Sequence, residues 1–238
     1  MKKHCLVIGA SGAIGLAATK ALAQQGYTLS LHYHKNKSAI EQLIVDLPND
    51  SVLEVIQADL RNQPGIQFLI DSIAFSPSDL LFAQGQESYG VFHETNEKIM
   101  DELFSVHVKA TWLITSALLP TMLRERKGNI VVISSIWGDR GASYEVVYSS
   151  VKSAQNGFVK ALAQEVAANN IRVNAISPGF IDTRMNQHVT GEDKDNIIAD
   201  IPANRLGTPE EVGELVVFLL NEKSSYINGE NIKISGGW

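Results

Sequence analysis

The side chains best suited to chemistry in this sequence are a tyrosine and a lysine, Tyr148 and Lys152. Residues four apart lie one above the other on a helix, so this spacing brings the phenol close to the ammonium group. A neighbouring ammonium favours the phenolate, and we expect it to lower the pKa of the tyrosine from about 10. The phenol could then exchange a proton with a carbonyl oxygen. The alternative is an ordinary surface pair, because this spacing is frequent by chance.

A serine at the end of an apolar run is the third candidate. Ser135 follows the apolar stretch 130–134 and precedes Tyr148 by 13 residues. Ligands of a parallel sheet bind at the carboxyl ends of its strands, where this serine would lie. Its hydroxyl could hydrogen-bond a substrate oxygen while Tyr148 protonates that oxygen. The surrounding sequence offers no histidine and acid arrangement that would make Ser135 a nucleophile.

The first apolar run leads into a glycine-rich turn, residues 9–15, and then into a helical pattern. Gly9 can make the tight turn, and the small residues Gly12 and Ala13 let the backbone approach a pyrophosphate. Gly15 lets the helix pack closely on the strand. The first N–H groups of the helix add partial positive charge, which suits a phosphate. We therefore expect a dinucleotide-binding turn; a turn that only joins strand to helix is the alternative.

The end of the second predicted strand indicates which dinucleotide is bound. An acid at this point in such folds binds the adenosine ribose diol and repels a 2′-phosphate. Here Tyr33 occupies the strand end, no acid follows it, and Lys35 and Lys37 come next. This favours NADPH over NADH, unless both lysines are only solvated turn charges. His32 and His34 would share a strand face, but the segment has no Asp, Glu or Cys to complete a metal site, and we expect none.

Short apolar runs alternate with amphipathic stretches along the whole chain, as is typical of a parallel sheet covered by helices on both faces. We interpret residues 1–238 as one doubly wound α/β domain, with the polar and irregular residues 184–207 as a mobile substrate lid. Strands are predicted at residues 5–8, 28–33, 52–57, 80–83, 129–134, 171–176 and 231–235. Helices are predicted at residues 14–25, 38–47, 96–126 (one helix or two, with a kink at Pro120), 147–169 and 208–220.

Composition narrows the function classes. The chain has 238 residues, of which 45% are hydrophobic, and a net charge of −6. The apolar fraction fits a folded protein, and the acidic balance without a Lys/Arg stripe argues against nucleic-acid binding. The longest apolar runs are far short of the ~20 residues of a membrane span, so no membrane partner is expected. The single cysteine, Cys5, fits a reducing compartment, and we expect a cytoplasmic protein.

Several segments together make the chain resemble the short-chain dehydrogenase/reductase family over essentially its whole length. They are residues 9–15 and 58–60, Ser135, the Tyr148/Lys152 pair and residues 174–183. The resemblance implies a Rossmann fold with sheet order 3-2-1-4-5-6-7 and usually a homotetramer built through helix faces. It makes Tyr148 the acid/base and Ser135 the group that orients the carbonyl. Lys152 would bind the nicotinamide ribose and lower the tyrosine pKa.

The residues and the resemblance together give a set of expected cofactor contacts. Asp59 would contact the adenine, and Ile181 and Thr183 would contact the carboxamide end of the cofactor. The full set is Gly9, Ser11, Gly12, Ala13, Ile14, Gly15, Tyr33, Lys35, Asp59, Leu60, Gly85, Tyr148, Lys152, Pro178, Gly179, Ile181 and Thr183.

Two segments depart from the family pattern. The family has Asn-Asn-Ala-Gly after strand four, where this chain has Phe82-Ala83-Gln84-Gly85. A further catalytic asparagine of the family, which helps to hold a water in a proton relay from the lysine, aligns with His107. An imidazole can accept from one side and donate from the other, so His107 could serve this relay. A buried packing histidine is the alternative.

Within the family, the chain looks most like 3-oxoacyl-[acyl-carrier-protein] reductases. Residues 134–138 and 141–146, with His107, also resemble a bacterial branch that reduces the 5-aminopentanone group on elongation factor P. The expected activity is NADPH-dependent reduction of a ketone, carried either as a thioester on acyl carrier protein or on modified elongation factor P. The expected substrate contacts are Ser135, Trp137, Glu145 and Tyr148.

Alternatives remain for the role of Glu145 and for the function of the protein. Glu145 would suit a substrate amine, or it would only favour the N-terminus of the catalytic helix. An NAD-dependent alcohol oxidiser fits less well, because no acid follows the second strand. A protein that binds NADP as a sensor without turnover is the other alternative, against which the intact Ser135, Tyr148 and Lys152 argue.

Overall fold

The computed structural model describes residues 3–183, 186 and 189–238. At its centre lies a seven-stranded sheet in the order β3-β2-β1-β4-β5-β6-β7, and all neighbouring strands are parallel. The order and the parallel pairing confirm the fold class expected from the sequence. The strands are β1 His4–Ile8, β2 Thr28–Tyr33, β3 Val52–Gln57, β4 Asp79–Phe82, β5 Gly128–Ile133, β6 Ile171–Pro178 and β7 Asn231–Ile234.

Helices cover both faces of this sheet. Strands β1 and β5 are buried at every position, which explains why they are continuous apolar runs. Val7 packs in one core with Leu22 and Val216, while its neighbour Leu6 packs in the other with Val159. The helices are α1 Ala13–Gln24, α2 Lys37–Asp46, α3 Gln63–Ser72, α4 Glu97–Phe104, α5 Ala110–Glu125, α6 Trp137–Arg140, α7 Val146–Val166, α8 Gly191–Asp200 and α9 Pro209–Leu220.

Some predicted boundaries agree closely with the structure. Strands β2 and β3 begin and end at the predicted residues. Helix α9 begins at Pro209, and the Thr208 side chain accepts a hydrogen bond from the Glu211 N–H while the Glu211 side chain accepts one from Thr208 N–H. This reciprocal pair satisfies two N–H groups that the helix itself cannot, which is why the start was visible in the sequence.

The long predicted helix at residues 96–126 is interrupted, but not at Pro120. A π-helical turn, Ser105–Lys109, separates α4 from α5, whereas Pro120 lies inside α5. By length and composition alone the helical stretch Glu97–Glu125 would suffice to cross a membrane, yet half of its most apolar part is buried in this fold. Several of its apolar residues, Ile114 among them, form part of the core.

The predicted irregular lid at residues 184–207 contains helix α8, so the prediction of irregular structure was wrong there. Residues 184, 185, 187 and 188 lie outside the described residues, and the mobility of the segment stays a prediction. Helix α3 was not predicted, although Asn62 caps it and Pro64 lies in its first turn.

Candidate functional site

A pocket of about 660 Å³ opens at the carboxyl end of the sheet. It brings together side chains that are far apart in the sequence, from Ile14 after β1 to Trp238 after β7. The predicted site residues that line it are Ile14, Gly85, Ser135, Trp137, Glu145, Tyr148, Lys152, Pro178, Gly179, Ile181 and Thr183. The other predicted site residues lie outside its lining: Gly9, Ser11, Gly12, Ala13, Gly15, Tyr33, Lys35, Asp59, Leu60 and His107.

The glycine-rich turn has a shape that only glycine permits at two positions. Gly9 has φ +85°, and a Cβ there would lie 2.5 Å from the backbone nitrogen of Gln84. A Cβ on Gly15 would lie 2.2 Å from the Gly9 carbonyl oxygen. Gly12 occupies the N-cap position of α1, where no side chain caps the helix. The turn therefore offers open N–H groups at a helix N-terminus, and these residues fit the pyrophosphate of a dinucleotide.

His32 holds this turn in place, a role the sequence did not reveal. Its Nδ1 accepts a hydrogen bond from the Gly9 N–H at 3.2 Å, and its Nε2 lies 3.1 Å from the Ala58 carbonyl oxygen. Since a carbonyl only accepts, the proton is on Nε2 and the ring is neutral. Burial lowers the pKa of His32 to about 4, which keeps the ring in this state at neutral pH.

The region expected to hold adenosine is organised around Asp59. Arg61 binds this carboxylate through two nitrogens, with Nη2 2.7 Å from Oδ2 and Nε 3.0 Å from Oδ1. These hydrogen bonds hold the pKa of Asp59 near 2. His34 Nε2 lies 3.5 Å from the same carboxylate. Within the described ranges, no group of three or more His, Cys, Asp and Glu is placed to hold a metal ion.

The two lysines after β2 differ in their surroundings. Lys37 forms an ion pair with Glu41 at 3.1 Å, one helical turn away. Lys35 is exposed. Tyr33 is buried, and its hydroxyl donates to Gln57 Oε1 at 3.2 Å. Of the two cations, Lys35 is thus the one not held by a neighbouring carboxylate in the described structure.

Ser135, Tyr148 and Lys152 meet at one wall of the pocket. Ser135 follows β5, and its hydroxyl forms a hydrogen bond with that of Tyr148. Lys152 lies one turn further along α7, with Nζ 5.5 Å from the centre of the Tyr148 ring. Ser135 Oγ also accepts the Trp137 N–H at 3.2 Å, which fixes the position of this hydroxyl. The spacing of four residues and the strand end therefore bring these three groups together as expected.

The electrostatics of this trio differ from the expectation that Lys152 lowers the pKa of Tyr148. Burial raises the pKa of Tyr148, and the nearby carboxylates of Glu145 and Glu87 raise it further, while the Ser135 hydrogen bond acts in the opposite direction. Burial also lowers the pKa of Lys152 to about 7, so its positive charge is weakened near neutral pH. The phenol is consequently neutral, and in this form it is a proton donor.

His107 lies under Tyr148 and is fully buried. The two rings meet at 89° with centroids 5.6 Å apart. His107 Nε2 lies 2.8 Å from the Gln86 carbonyl oxygen, and Nδ1 has no partner among the described residues. Burial, followed by the charge of Lys152, lowers the pKa of His107 to about 3. The ring is neutral, and the structure shows no hydrogen bond from it to Lys152.

The remaining wall of the pocket is acidic and aromatic. Glu145 is the N-cap residue of α7, but its side chain makes no capping hydrogen bond, and it lines the pocket with Glu87 and Asp193. Trp137 packs edge to face on Trp238 with ring centroids 5.2 Å apart. Sequence reasoning missed Glu87, Asp193 and Trp238, since only the fold brings their distant segments to the site.

Comparison with known proteins gives the family. The family model described as Enoyl-(Acyl carrier protein) reductase matches residues 9–238. The chain belongs to the short-chain dehydrogenase/reductase family. It is therefore an oxidoreductase of the kind that uses a nicotinamide cofactor, and its relatives include 3-oxoacyl-[acyl-carrier-protein] reductases.

Individual relatives match over nearly their whole length. The chain is 41% identical over 240 residues to "Uncharacterized oxidoreductase YmfI" of Bacillus subtilis (strain 168), covering 100% of this chain and 99% of that protein. It is 30% identical to the 3-oxoacyl-[acyl-carrier-protein] reductase FabG of Thermotoga maritima, with coverage of 99% and 97%. Among solved structures, YwfH, described as an NADPH dependent reductase involved in bacilysin biosynthesis, has a TM-score of 0.91 at 26% identity, with coverage of 100% and 98%.

Proposed function

We propose that this enzyme reduces a ketone to an alcohol with NADPH. The observation that carries the proposal is the meeting of Ser135, Tyr148 and Lys152 at one wall of a pocket that also borders the dinucleotide turn. A binding protein without turnover would need neither a hydroxyl pair nor a buried lysine at this point. A sensor without turnover therefore leaves these groups unexplained.

Each group has a role that follows from its chemistry. A nicotinamide dinucleotide, when bound, would supply the hydride that the carbonyl carbon accepts. Ser135 donates a hydrogen bond that orients the carbonyl oxygen, and Tyr148 gives that oxygen its phenolic proton, which completes the alcohol. Lys152 would bind the ribose end of the cofactor. The raised pKa of Tyr148 suits this direction, because a neutral phenol must be present before reduction begins.

The preference for NADPH rests on charge. Lys35 is exposed at the end of β2, and no acid occupies the position of Tyr33. A 2′-phosphate at this point would meet a cation rather than a carboxylate. The solved relative YwfH, which carries NADPH dependence in its description, supports the same assignment.

Two ketone classes fit the family. The named FabG relatives support a 3-oxoacyl thioester on acyl carrier protein. The pocket itself favours a cationic amino-ketone such as the 5-aminopentanone of modified elongation factor P. Among the residues that line it, three are carboxylates, Glu87, Glu145 and Asp193, and Lys152 is the lone lysine or arginine in the described lining. A primary amine would be attracted to this wall, whereas a neutral thioester gains nothing from it.

NADPH oxidation with matched ketones tests the proposal. The purified enzyme is incubated with acetoacetyl thioester, with an amino-ketone of similar length, and with the same ketone without its amine. We expect turnover with at least one ketone, slower turnover with NADH, and the highest kcat/KM for the amino-ketone. Tight NADPH binding without turnover of any ketone would contradict the proposal and favour a sensor.

We also propose a homotetramer. Phe104 and Trp112 are 44% and 43% exposed on neighbouring helices and form an edge-to-face pair with centroids 6.0 Å apart. Burial of such a pair against another copy would remove apolar surface from water. Light scattering tests the assembly, and a monomer at micromolar concentration would contradict it.

A further inference from the structure

A glutamine lies directly behind the catalytic lysine. Gln155 is 1% exposed and sits on α7 almost one turn after Lys152. Its Oε1 accepts a hydrogen bond from Lys152 Nζ at 3.1 Å, and its Nε2 donates to the His107 carbonyl oxygen at 2.8 Å. The amide orientation follows from this geometry, because a carbonyl oxygen can only accept and an ammonium can only donate.

The main-chain carbonyl of His107 has a second donor. Thr111 Oγ1 donates to it at 2.9 Å, and Gln84 Nε2 donates to Thr111 Oγ1 at 3.1 Å. Gln84 lies in the first of the two segments in which this chain departs from the pattern of its family, and His107 is the residue that departs in the second. The structure joins both of them to Lys152 through one buried hydrogen-bonded network, with Gln155 as the connecting side chain.

Two of the three N–H donors of Lys152 are therefore held by the protein. One goes to Gln155, and the other goes to the Ile133 carbonyl oxygen at 2.8 Å. Both acceptors belong to buried residues. The third N–H is left for the pocket side, where Tyr148 and the expected ribose site lie.

We propose that Gln155 is a positioning residue that makes Lys152 exchange its proton only on the side facing Tyr148. The proposal rests on the reductase function proposed above. A neutral amine keeps two N–H groups and gains one lone pair. Since Gln155 and Ile133 each require an N–H, the lone pair is directed into the pocket whenever Lys152 loses a proton. The amine then accepts its next proton from the same direction.

The titration of Lys152 can be measured in the presence of the charged and titratable groups around it. Tyr148 and Glu145 lie on or next to α7, the His107 ring lies on the π-helical turn, and Glu87 follows β4. His107 has its pKa lowered to about 3 and stays neutral above that value. Tyr148, whose pKa is raised, is protonated throughout the neutral range.

The first test measures Lys152 directly, without substrate. The enzyme is labelled with ¹³C at lysine Cε, the Lys152 signal is assigned with Lys152→Arg, and its pKa is measured by NMR in three variants. Gln155→Met removes the acceptor and should lower the pKa of Lys152 below the wild-type value near 7. Gln155→Glu adds a negative charge and should raise it. Gln164→Met, the same change at an exposed position of α7, should leave it unchanged.

The second test follows kinetics. For Gln155→Met we expect kcat for ketone reduction to fall about tenfold or more, since a hydrogen bond to a charged group is lost, with KM for the ketone nearly unchanged. The fall of kcat at high pH should move to lower pH in Gln155→Met and to higher pH in Gln155→Glu. If Gln155→Met does not fold, the near-isosteric Gln155→Glu decides the question alone.

An unchanged Lys152 pKa in the folded variants would overturn the positioning role, even if their activity were low. Failure of the proposed function would look different. The wild-type enzyme would then turn over no ketone, while the NMR titration would still respond to both substitutions at Gln155.

Discussion

Buried polar side chains lie at both ends of the sheet, but the two ends differ in whether these side chains have hydrogen-bond partners. At the amino end, His4 Nε2 and Ser30 Oγ lie 2.9 Å apart, and Ser30 donates to Glu54 at 2.6 Å. At the carboxyl end, Gln84 Oε1 and His107 Nδ1 have no partner within the described part of the chain. An unmade hydrogen bond on a buried group costs about 1–3 kcal/mol, so its presence in a native structure calls for a reason.

Arg172 is an example of a polar group at the amino end that has several hydrogen-bond partners. Its guanidinium donates to main-chain oxygens of Leu219, Asn221 and Ser224 at 2.7–3.0 Å, and so fixes the end of α9 against β6. The amino end thus uses polar groups to hold the fold. The carboxyl end leaves polar atoms without a hydrogen-bond partner among the described residues, beside the proposed substrate pocket. Substitutions at the two ends should therefore affect different quantities.

The largest effect is expected for Tyr148→Phe. Removal of the phenolic hydroxyl takes away the proposed proton donor, and general acids contribute about 10²- to 10⁴-fold in rate. The ring remains, so the NADPH dissociation constant and the melting temperature should stay close to wild type. Single-turnover kinetics measure the rate, and fluorescence titration measures the NADPH dissociation constant. A variant that kept more than half of its turnover would show that the acid lies elsewhere.

Glu145→Gln should change substrate preference. The substitution keeps the shape of the side chain and removes its charge. A charged hydrogen bond contributes about 1.5–3 kcal/mol, so kcat/KM for an amino-ketone should fall about ten- to hundredfold. Reduction of acetoacetyl thioester should change little. Equal losses on both substrates would assign Glu145 to the start of α7 instead of to amine recognition.

Asn129→Ala tests the amino end. The Asn129 amide donates to the buried carboxylate of Asp79, which also accepts from Ser78. Loss of this donor leaves a buried charged group short of a partner, and the free energy of unfolding should fall by about 1.5–3 kcal/mol. Urea unfolding measures this change. Turnover per folded molecule should be unaffected, and a loss comparable to that of Tyr148→Phe would remove the distinction between the two ends.

The smallest effect is expected at Lys35, where the 2′-phosphate of NADPH would bind. An exposed phosphate–lysine contact contributes about 1 kcal/mol or less, so Lys35→Glu should weaken NADPH binding only several-fold. NADH binding should be unchanged or slightly tighter, because NADH has no 2′-phosphate. Dissociation constants at fixed salt are compared with those of Lys160→Glu, the same charge change at an exposed position of α7. Equal shifts in both variants would indicate only a general effect of net charge.

The sequence was most informative where chemistry is local. Apolar runs located the strands, and Thr208 with Glu211 located the start of α9, because each signal depends on residues a few positions apart. Helix α8 was missed because it has few apolar residues, and Ile197 among them faces the pocket. The π-helical turn at Ser105–Lys109 contains neither glycine nor proline to mark it.

Gln155 shows a second limit of prediction from the sequence. Its acceptor for the Nε2 donor is a carbonyl 48 residues earlier in the chain. A glutamine in a helix gives no indication of burial by itself, so only the packing of α7 against the π-helical turn reveals its contact with Lys152. The spacing of Tyr148 and Lys152 was visible in the sequence, whereas the contact of Gln155 with Lys152 was visible only in the structure.

The single imidazole of His32 has a consequence for how the protein refolds. It joins Gly9 at the end of β1 to Ala58 after β3, so one side chain connects three neighbouring strands. We therefore expect the glycine-rich turn to reach its final shape only after the edge strand β3 has joined the sheet, a contact between segments far apart in sequence. Fluorescence of a dinucleotide added during refolding should report the docking of this edge strand, whereas far-ultraviolet circular dichroism reports the helices.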